Sequence, residues 1–258
     1  MRLLIEADLD YWLPEAADVL LQVEAALLPD QRIEAERLTV TSAQPLAAVA
    51  GDDGIGQRCW VRAEGQLIAS YRATVAVERE VVAIGALPPT PPRALPAETV
   101  PYLLPSRYCQ SDRLEGFVRA EFGALQGGAL AAAMADWVKA NLRYRAATSS
   151  GETTALDTFG RRAGVCRDYA HLLVALARAG EIPARCVSAY APGVDPPDFH
   201  AVAELWLDGA WHLVDATGMA RPEEIARVVV GRDATDIAFM TVFGTATLQQ
   251  QRVSVSRA

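Results

Sequence analysis

The sequence predicts an α+β protein in which helices pack on an antiparallel sheet, preceded by a small β-rich N-terminal domain. Three observations predict it. Residues 1–86 alternate apolar and polar side chains with period two, a proline-dense segment follows, and helical spacing then gives way to two alternating runs joined by Asp208-Gly209. With 258 residues and 51% apolar composition, the chain can bury a full core.

The first runs are "MRLLIEA", "VLLQVEAAL", "RLTVTSA" and "CWVRAEGQLIASYRATVAVE". Punctuated by "GDDGIG" and "EG", they read as an antiparallel sheet or sandwich over 1–86. Seven prolines between Pro88 and Pro105 are too many for a helix or a central strand, so 87–105 is expected to be an extended, stiff linker. A proline-rich stretch could also serve as a ligand for an aromatic groove on a partner.

Residues 106–258 are read as one C-terminal domain. "SDRLEGFVRAEFGAL" opens with a Ser-Asp cap, and the Ala-rich "GGALAAAMADWVKANLRYR" continues as helix with Trp137, Leu142 and Tyr144 toward its end. "SSGETTALDTFGRRAG" reads as a loop or a short turn of helix. From Cys166, the positions Tyr169, Leu172, Leu173 and Leu176 mark one helical face that Gly180 stops. "PARCVSAYAP" reads as a strand, "FHAVAELWLDGAWHLVDAT" as a hairpin, "PEEIARVVV" as a short helix, and "FMTVFGTATLQQQRVSVS" as one or two closing strands.

The net charge of −8 argues against a nucleic-acid partner, whose phosphates require clustered Lys and Arg. No stretch reaches the roughly 18 apolar residues of a membrane span. The N-terminal stretch lacks the apolar run of a signal peptide, and the four cysteines stand singly, so a reducing cytoplasm is expected.

Cys166 opens a helix, where free backbone N–H groups and the dipole favour a thiolate and could hold an oxyanion. A buried packing role is the alternative for any free cysteine. His171 cannot serve as its base: five residues along the same helix, it is rotated by about 140°, and its expected role is pairing with Asp168. The Asp208-Gly209 turn supplies a better base. With these residues at the turn, Leu207 faces Ala210, Val202 faces Asp215 and His200 faces Thr217. His200 and Asp215 then share one face as diagonal neighbours roughly 7–8 Å apart, while His212 lies on the other. Cys166, His200 and Asp215 form a candidate nucleophile, base and orienter. Without paired spacing such as C-x-x-C, no metal and no cofactor are expected.

In this order of elements, residues Leu103 to Pro222 resemble the transglutaminase-like superfamily of papain-type cysteine enzymes. The matching motifs are "GVCRDYAHLLVALARAGEIPARCV", "FHAVAELWLDGAWHLVDAT" and, more loosely, "YLLPSRYC" and "NLRYR". The resemblance implies a papain-like core of helices on an antiparallel sheet, with Cys166 as nucleophile, His200 as base and Asp215 as third member, and makes 106–258 a catalytic domain. The N-terminal β-region resembles the extra domain that precedes this core in many bacterial members. Calcium activation, which belongs to animal transglutaminases with further β-domains, is not carried over. The second oxyanion donor is left among Trp60, Trp137 and Tyr144. The expected activity is acyl transfer from peptide or glutamine-type amide bonds through a thioester, hydrolytic rather than cross-linking, on a peptide or protein substrate. An acetyl-transferring enzyme with the same triad, and a catalytically silent binding or scaffold protein, are the alternatives.

Overall fold

The computed structural model describes residues 1–258. Four strands open the chain: β1 (Arg2–Leu21), β2 (Gln31–Val40), β3 (Ala47–Ala50) and β4 (Gln57–Val77). β1 and β4 pair antiparallel along their lengths, from Arg2↔Ala76 to Leu21↔Cys59. Period-two alternation buries Leu3, Ile5, Ala7, Leu9 and Leu13 of β1 against Val61, Leu67, Tyr71 and Val75 of β4 on one face. The expected break at Glu64-Gly65 is instead a bulge. Gly65 takes φ of 71°, open to it without a Cβ, while the register shifts between Leu13 and Ala17, and the strand runs on.

The proline-rich segment differs from an extended spacer. It contains 3₁₀ turns at Ile84–Ala86, Pro92–Ala94 and Ala97–Leu103, buries Thr99 and Tyr102, and ties the Tyr102 hydroxyl to Asp53 at 2.7 Å. Proline pre-sets the φ that such turns need.

The helical region contains α1 (Glu115–Phe122) and α2 (Gly127–Asn141). The helix expected to run through Tyr144 ends at Asn141, and β5 (Arg143–Tyr144) leaves it. α3 (Ala155–Arg161) takes the short-helix alternative expected for this stretch, started by a capping box in which Thr154 and Asp157 satisfy each other's backbone N–H. β6 (Ala163–Gly164) pairs in parallel with β5 and leads directly into α4 (Cys166–Ala179). β7 (Ala184–Tyr190), β8 (His200–Leu207) and β9 (Ala210–Val214) form an antiparallel sheet that β10 (Ala226–Gly231) completes in the order β10-β7-β8-β9. β10 overturns the helix expected from "PEEIARVVV". Only Pro222–Glu224 turns, and the β-branched Val228, Val229 and Val230 lie buried in a strand beside β7. The four-residue α5 (Ala234–Ile237) ends this half.

β11 (Met240–Phe243) and β12 (Thr247–Arg257) correct the expected domain boundary. They return to the N-terminal sheet and pair with β1, from Leu21↔Met240 and from Leu3↔Arg257. Residues 106–258 are therefore not a self-contained domain. One core cluster runs from Leu3 and Tyr71 to Leu172 and Val229, and Tyr71 stacks on Tyr190, whose hydroxyl donates to the Val23 carbonyl at 2.7 Å. Glu204, with no exposed surface, pairs with Arg185 and Arg227, which reach on to Asp53 and Asp30 in the N-terminal region. α4 is buried on nearly every side between β7 and β8 and the other helices, as its run of Leu172, Leu173, Val174, Ala175 and Leu176 requires. No helix is long and apolar enough to cross a membrane.

Candidate active site

Cys166 is the first residue of α4 and is half-buried. Its position is set locally. The Asp168 carboxylate folds back to accept the Val165 N–H at 2.8 Å, which satisfies a donor at the helix start. That fold-back requires Gly164, because a Cβ there would lie 2.5 Å from both Asp168 Cβ and Oδ2. The thiol Sγ stands 3.9 Å from the Phe199 carbonyl oxygen, the residue before His200.

The hairpin register follows the expected pairing: Leu207↔Ala210, Leu205↔His212 and Ala203↔Val214. Asp208 and Gly209 adopt φ of 49° and 77°, the left-handed pair of a tight hairpin turn. His200 opens β8 and Asp215 follows β9, with His200 Nε2 and Asp215 Oδ2 2.9 Å apart. His200 Nδ1 is buried without a hydrogen-bond partner, and Cys166 and His200 border one cavity. Asp215 is held from several directions: Oδ1 accepts the Thr217 N–H at 2.9 Å and its hydroxyl at 2.7 Å, and Oδ2 accepts the Ala220 N–H at 2.9 Å.

Burial pulls the His200 pKa down, but the hydrogen bond to Asp215, the neighbouring Cys166 thiol and the Asp215 charge outweigh it and raise the pKa to about 9. Burial likewise opposes the Asp215 carboxylate, yet its bonds to His200, Thr217 and Ala220 hold its pKa below the usual range. The pair is thus set as imidazolium and carboxylate at neutral pH.

The other histidines lie elsewhere. His212 faces Leu205 and sits 3.1 Å from the Leu207 carbonyl. His171 does not pair with Asp168, which is engaged at Val165. Instead its Nε2 accepts the Ala234 N–H at 3.0 Å, its ring stacks on Tyr108, and burial lowers its pKa to about 3. Folding brings His171 within 4.8 Å of the buried sulfurs of Cys109 and Cys186, a grouping that spacing along the chain does not reveal. His171 Nδ1 is buried without a hydrogen-bond partner, but because Nε2 accepts from the Ala234 amide the neutral ring carries its proton on Nδ1. Three donors also fall one short of the four that a structural zinc takes, so this set does not fit a zinc centre.

Of the three aromatic candidates for the oxyanion site, Trp60 packs at a tilt against Phe243 in the N-terminal sheet and Trp137 packs on Phe117, Phe159 and Arg162. Only Tyr144 comes near Cys166. The β5–β6 ladder pairs it with Gly164, and Arg145 N–H donates to the Gly164 carbonyl at 2.9 Å. Burial first, and the adjacent Cys166, push the Tyr144 hydroxyl pKa up, so the hydroxyl keeps its proton. The sequence assigns Asp168 to His171 rather than to the helix start, and it does not point to Thr217 as a support of Asp215 or to Ile237, Phe239 and Met240, which line the cavity with Cys166. The Asp-x-Thr spacing after β9 was the one available signal, as a carboxylate often bonds the backbone two residues on.

A family model described as the transglutaminase-like superfamily matches residues 117–216, a span that holds Cys166, His200 and Asp215. A crystal structure from Cytophaga hutchinsonii, of a protein provisionally named a cysteine protease, is 33% identical with a TM-score of 0.93, covering 99% of this chain and 90% of that one. An uncharacterized protein of Mycobacterium leprae is 33% identical over 114 residues; the match takes in 41% of this chain and spans only 41% of that curated relative. The periplasmic domain of TgpA from Pseudomonas aeruginosa, bound to ethylmercury, is 21% identical with a TM-score of 0.44 over 83% of this chain and 77% of that one.

Proposed function

The chain belongs to the transglutaminase-like superfamily, and on that premise we propose that it is a thiol-dependent acyl-transfer enzyme that hydrolyses an amide bond of a peptide or protein substrate. The observation that carries this reading is the buried 2.9 Å contact between His200 and Asp215 on the wall of the cavity that Cys166 borders. A packing cysteine has no use for an oriented imidazolium beside it.

Cys166 Sγ, as thiolate, attacks the amide carbonyl and forms a C–S bond, moving the π electrons to oxygen. The Cys166 backbone N–H at the start of α4 and the Tyr144 hydroxyl are the donors for that oxyanion. The C–N bond then breaks as His200 gives its proton to the departing amine, leaving a thioester. Water adds to the thioester, His200 takes up its proton, and the C–S bond breaks to release a carboxylic acid and restore the thiolate–imidazolium pair. Asp215 holds the ring so that Nε2 faces the carboxylate and Nδ1 faces sulfur throughout. Hydrolysis rather than transfer to a second amine is supported by the relative matched over 99% of this chain, which carries a provisional cysteine-protease name. An amine acceptor in place of water would make the same thioester a cross-linking intermediate.

The test is iodoacetamide labelling near pH 7, with the alkylated residue located by mass spectrometry. Cys59, Cys109 and Cys186 are buried, so the reference is a free small-molecule thiol. Cys166 is expected to react faster than that reference, and His200→Ala to remove the advantage. Reaction no faster than the free thiol would leave the protein as a binding or scaffold member of the family.

A further inference from the structure

The cavity beside Cys166 has a volume of about 430 Å³, within the size range of small-ligand sites. One wall is the proposed catalytic machinery: Val165, Cys166 and His200. The facing wall comes from a different part of the fold. Ile237 closes α5, Phe239 follows it, and Met240 opens β11, which is registered against Leu21 of the N-terminal sheet. Phe239 stacks on Phe199 with ring centres 4.5 Å apart and planes 9° from parallel, so this wall touches the residue that immediately precedes His200.

Two charged residues also line the cavity, and each already holds partners, although Arg167 Nε is buried without one. Arg167 Nη2 donates to Ser149 Oγ at 2.8 Å and to the Ser150 carbonyl at 2.6 Å. The Asp198 carboxylate accepts the Phe199 N–H at 2.7 Å and the side-chain amide of Gln251, which β12 contributes. A polar substituent entering here would give up water for few free partners. An apolar ring would bury its surface against Phe199, Phe239 and Met240, the last an adaptable thioether suited to aromatic edges.

We propose that this cavity is a specificity subsite that takes a large apolar, preferentially aromatic, side chain next to the attacked carbonyl, and that β11 of the accessory sheet sets its size. The proposal rests on the reading of Cys166 as nucleophile and deepens it. It also gives the accessory sheet a role in substrate choice, since Met240 of β11 lines the cavity and Gln251 of β12 holds Asp198 on its wall, both strands being paired with β1.

The experiment uses the full chain and a peptide-amide series varied at the one residue that carries the attacked carbonyl: Phe, Leu, Gly or Glu. The expected result is a kcat/KM for Phe and Leu at least about tenfold above Gly and Glu, the scale on which apolar pockets discriminate. In Met240→Trp, which fills the space, the Phe-to-Gly ratio is expected to collapse at least tenfold. A flat series alongside prompt iodoacetamide labelling of Cys166 overturns the subsite while the nucleophile reading stands. If Cys166 is inert, the nucleophile reading fails instead. The subsite is then judged by equilibrium binding of the same peptides to Cys166→Ala, where tenfold tighter binding of the Phe peptide supports it and equal affinity overturns it.

Discussion

The protonation of His200 governs what the site can do as pH changes. Because its pKa stands at about 9, the imidazolium persists through neutrality, and kcat/KM for an amide substrate is expected to hold there and fall above about pH 9, as the proton for the leaving amine is lost. Alkylation of Cys166 requires only the thiolate and is not expected to fall over that range, so the two profiles separate on the alkaline side. The same shift acts on stability. The folded value lies above the ordinary 6.5, so the stabilisation from the His200–Asp215 pair is complete below about 6.5 and is lost as pH rises through about 9. The urea midpoint should decline over that window, and the decline should shrink in Asp215→Asn. Tyr144→Phe removes one oxyanion donor and is expected to lower kcat roughly 10²-fold with little change in KM; an unchanged or higher kcat would show that the hydroxyl does not serve the transition state. At this scale the sequence was informative where pairing rules apply. The Asp208-Gly209 turn put His200 and Asp215 on one face, and helical rotation removed His171. Tyr144 stood only as one of three aromatic candidates, because a two-residue parallel ladder leaves no periodic signal.

At the scale of elements, the start of α4 is the most exposed to a single change. Gly164→Ala places a methyl 2.5 Å from the Asp168 carboxylate, which must let go of the Val165 N–H. Loss of a helix cap costs about 1–2 kcal/mol, so a thermal melt should show destabilisation on that scale, and kcat should fall with it because the Cys166 N–H is re-aimed. An unaltered melt would mean that Asp168 can cap from another rotamer. α4 itself was legible from its apolar spacing between Cys166 and Gly180, and the β8–β9 hairpin from its turn. β10 was not. "PEEIARVVV" begins with residues suited to a helix start, and only its place beside β7 favours the strand, a tertiary preference that overrides local propensity.

For the whole molecule, the decisive contacts cross between the N-terminal sheet and the half that holds the site. Glu204 is fully buried between Arg185 and Arg227, and removing it in Glu204→Ala leaves two buried guanidinium groups with only Asp53 and Asp30 as carboxylate partners, with an expected loss of up to roughly 3–5 kcal/mol in urea denaturation. Since the core is continuous and β11 and β12 complete the first sheet, chemical unfolding should be a single transition. Fluorescence of Trp12 in the sheet and of Trp206 in β8 should then report coincident midpoints in single-tryptophan variants. Residues 106–258 expressed alone are expected not to fold, because β11 and β12 would lose β1 and present unpaired edges. A stable, cooperatively melting fragment would restore the boundary that the proline-rich segment first suggested.

What the sequence by itself determined were the features governed by short-range periodicity and turn chemistry: the α+β class, the cysteine at a helix start, the hairpin register and the shared face of His200 and Asp215. Tertiary structure alone decided which distant segments meet. It brought Tyr144 beside Cys166, gathered Cys109, His171 and Cys186 into one buried cluster, turned the proline segment into a packed strap, and returned the last two strands to β1, so that Met240 at the start of β11 walls the cavity. The reason is physical. Local patterns fix φ, ψ and the face a side chain takes, whereas the pairing of segments more than two hundred residues apart is chosen by burial of the whole core, which no stretch of sequence contains.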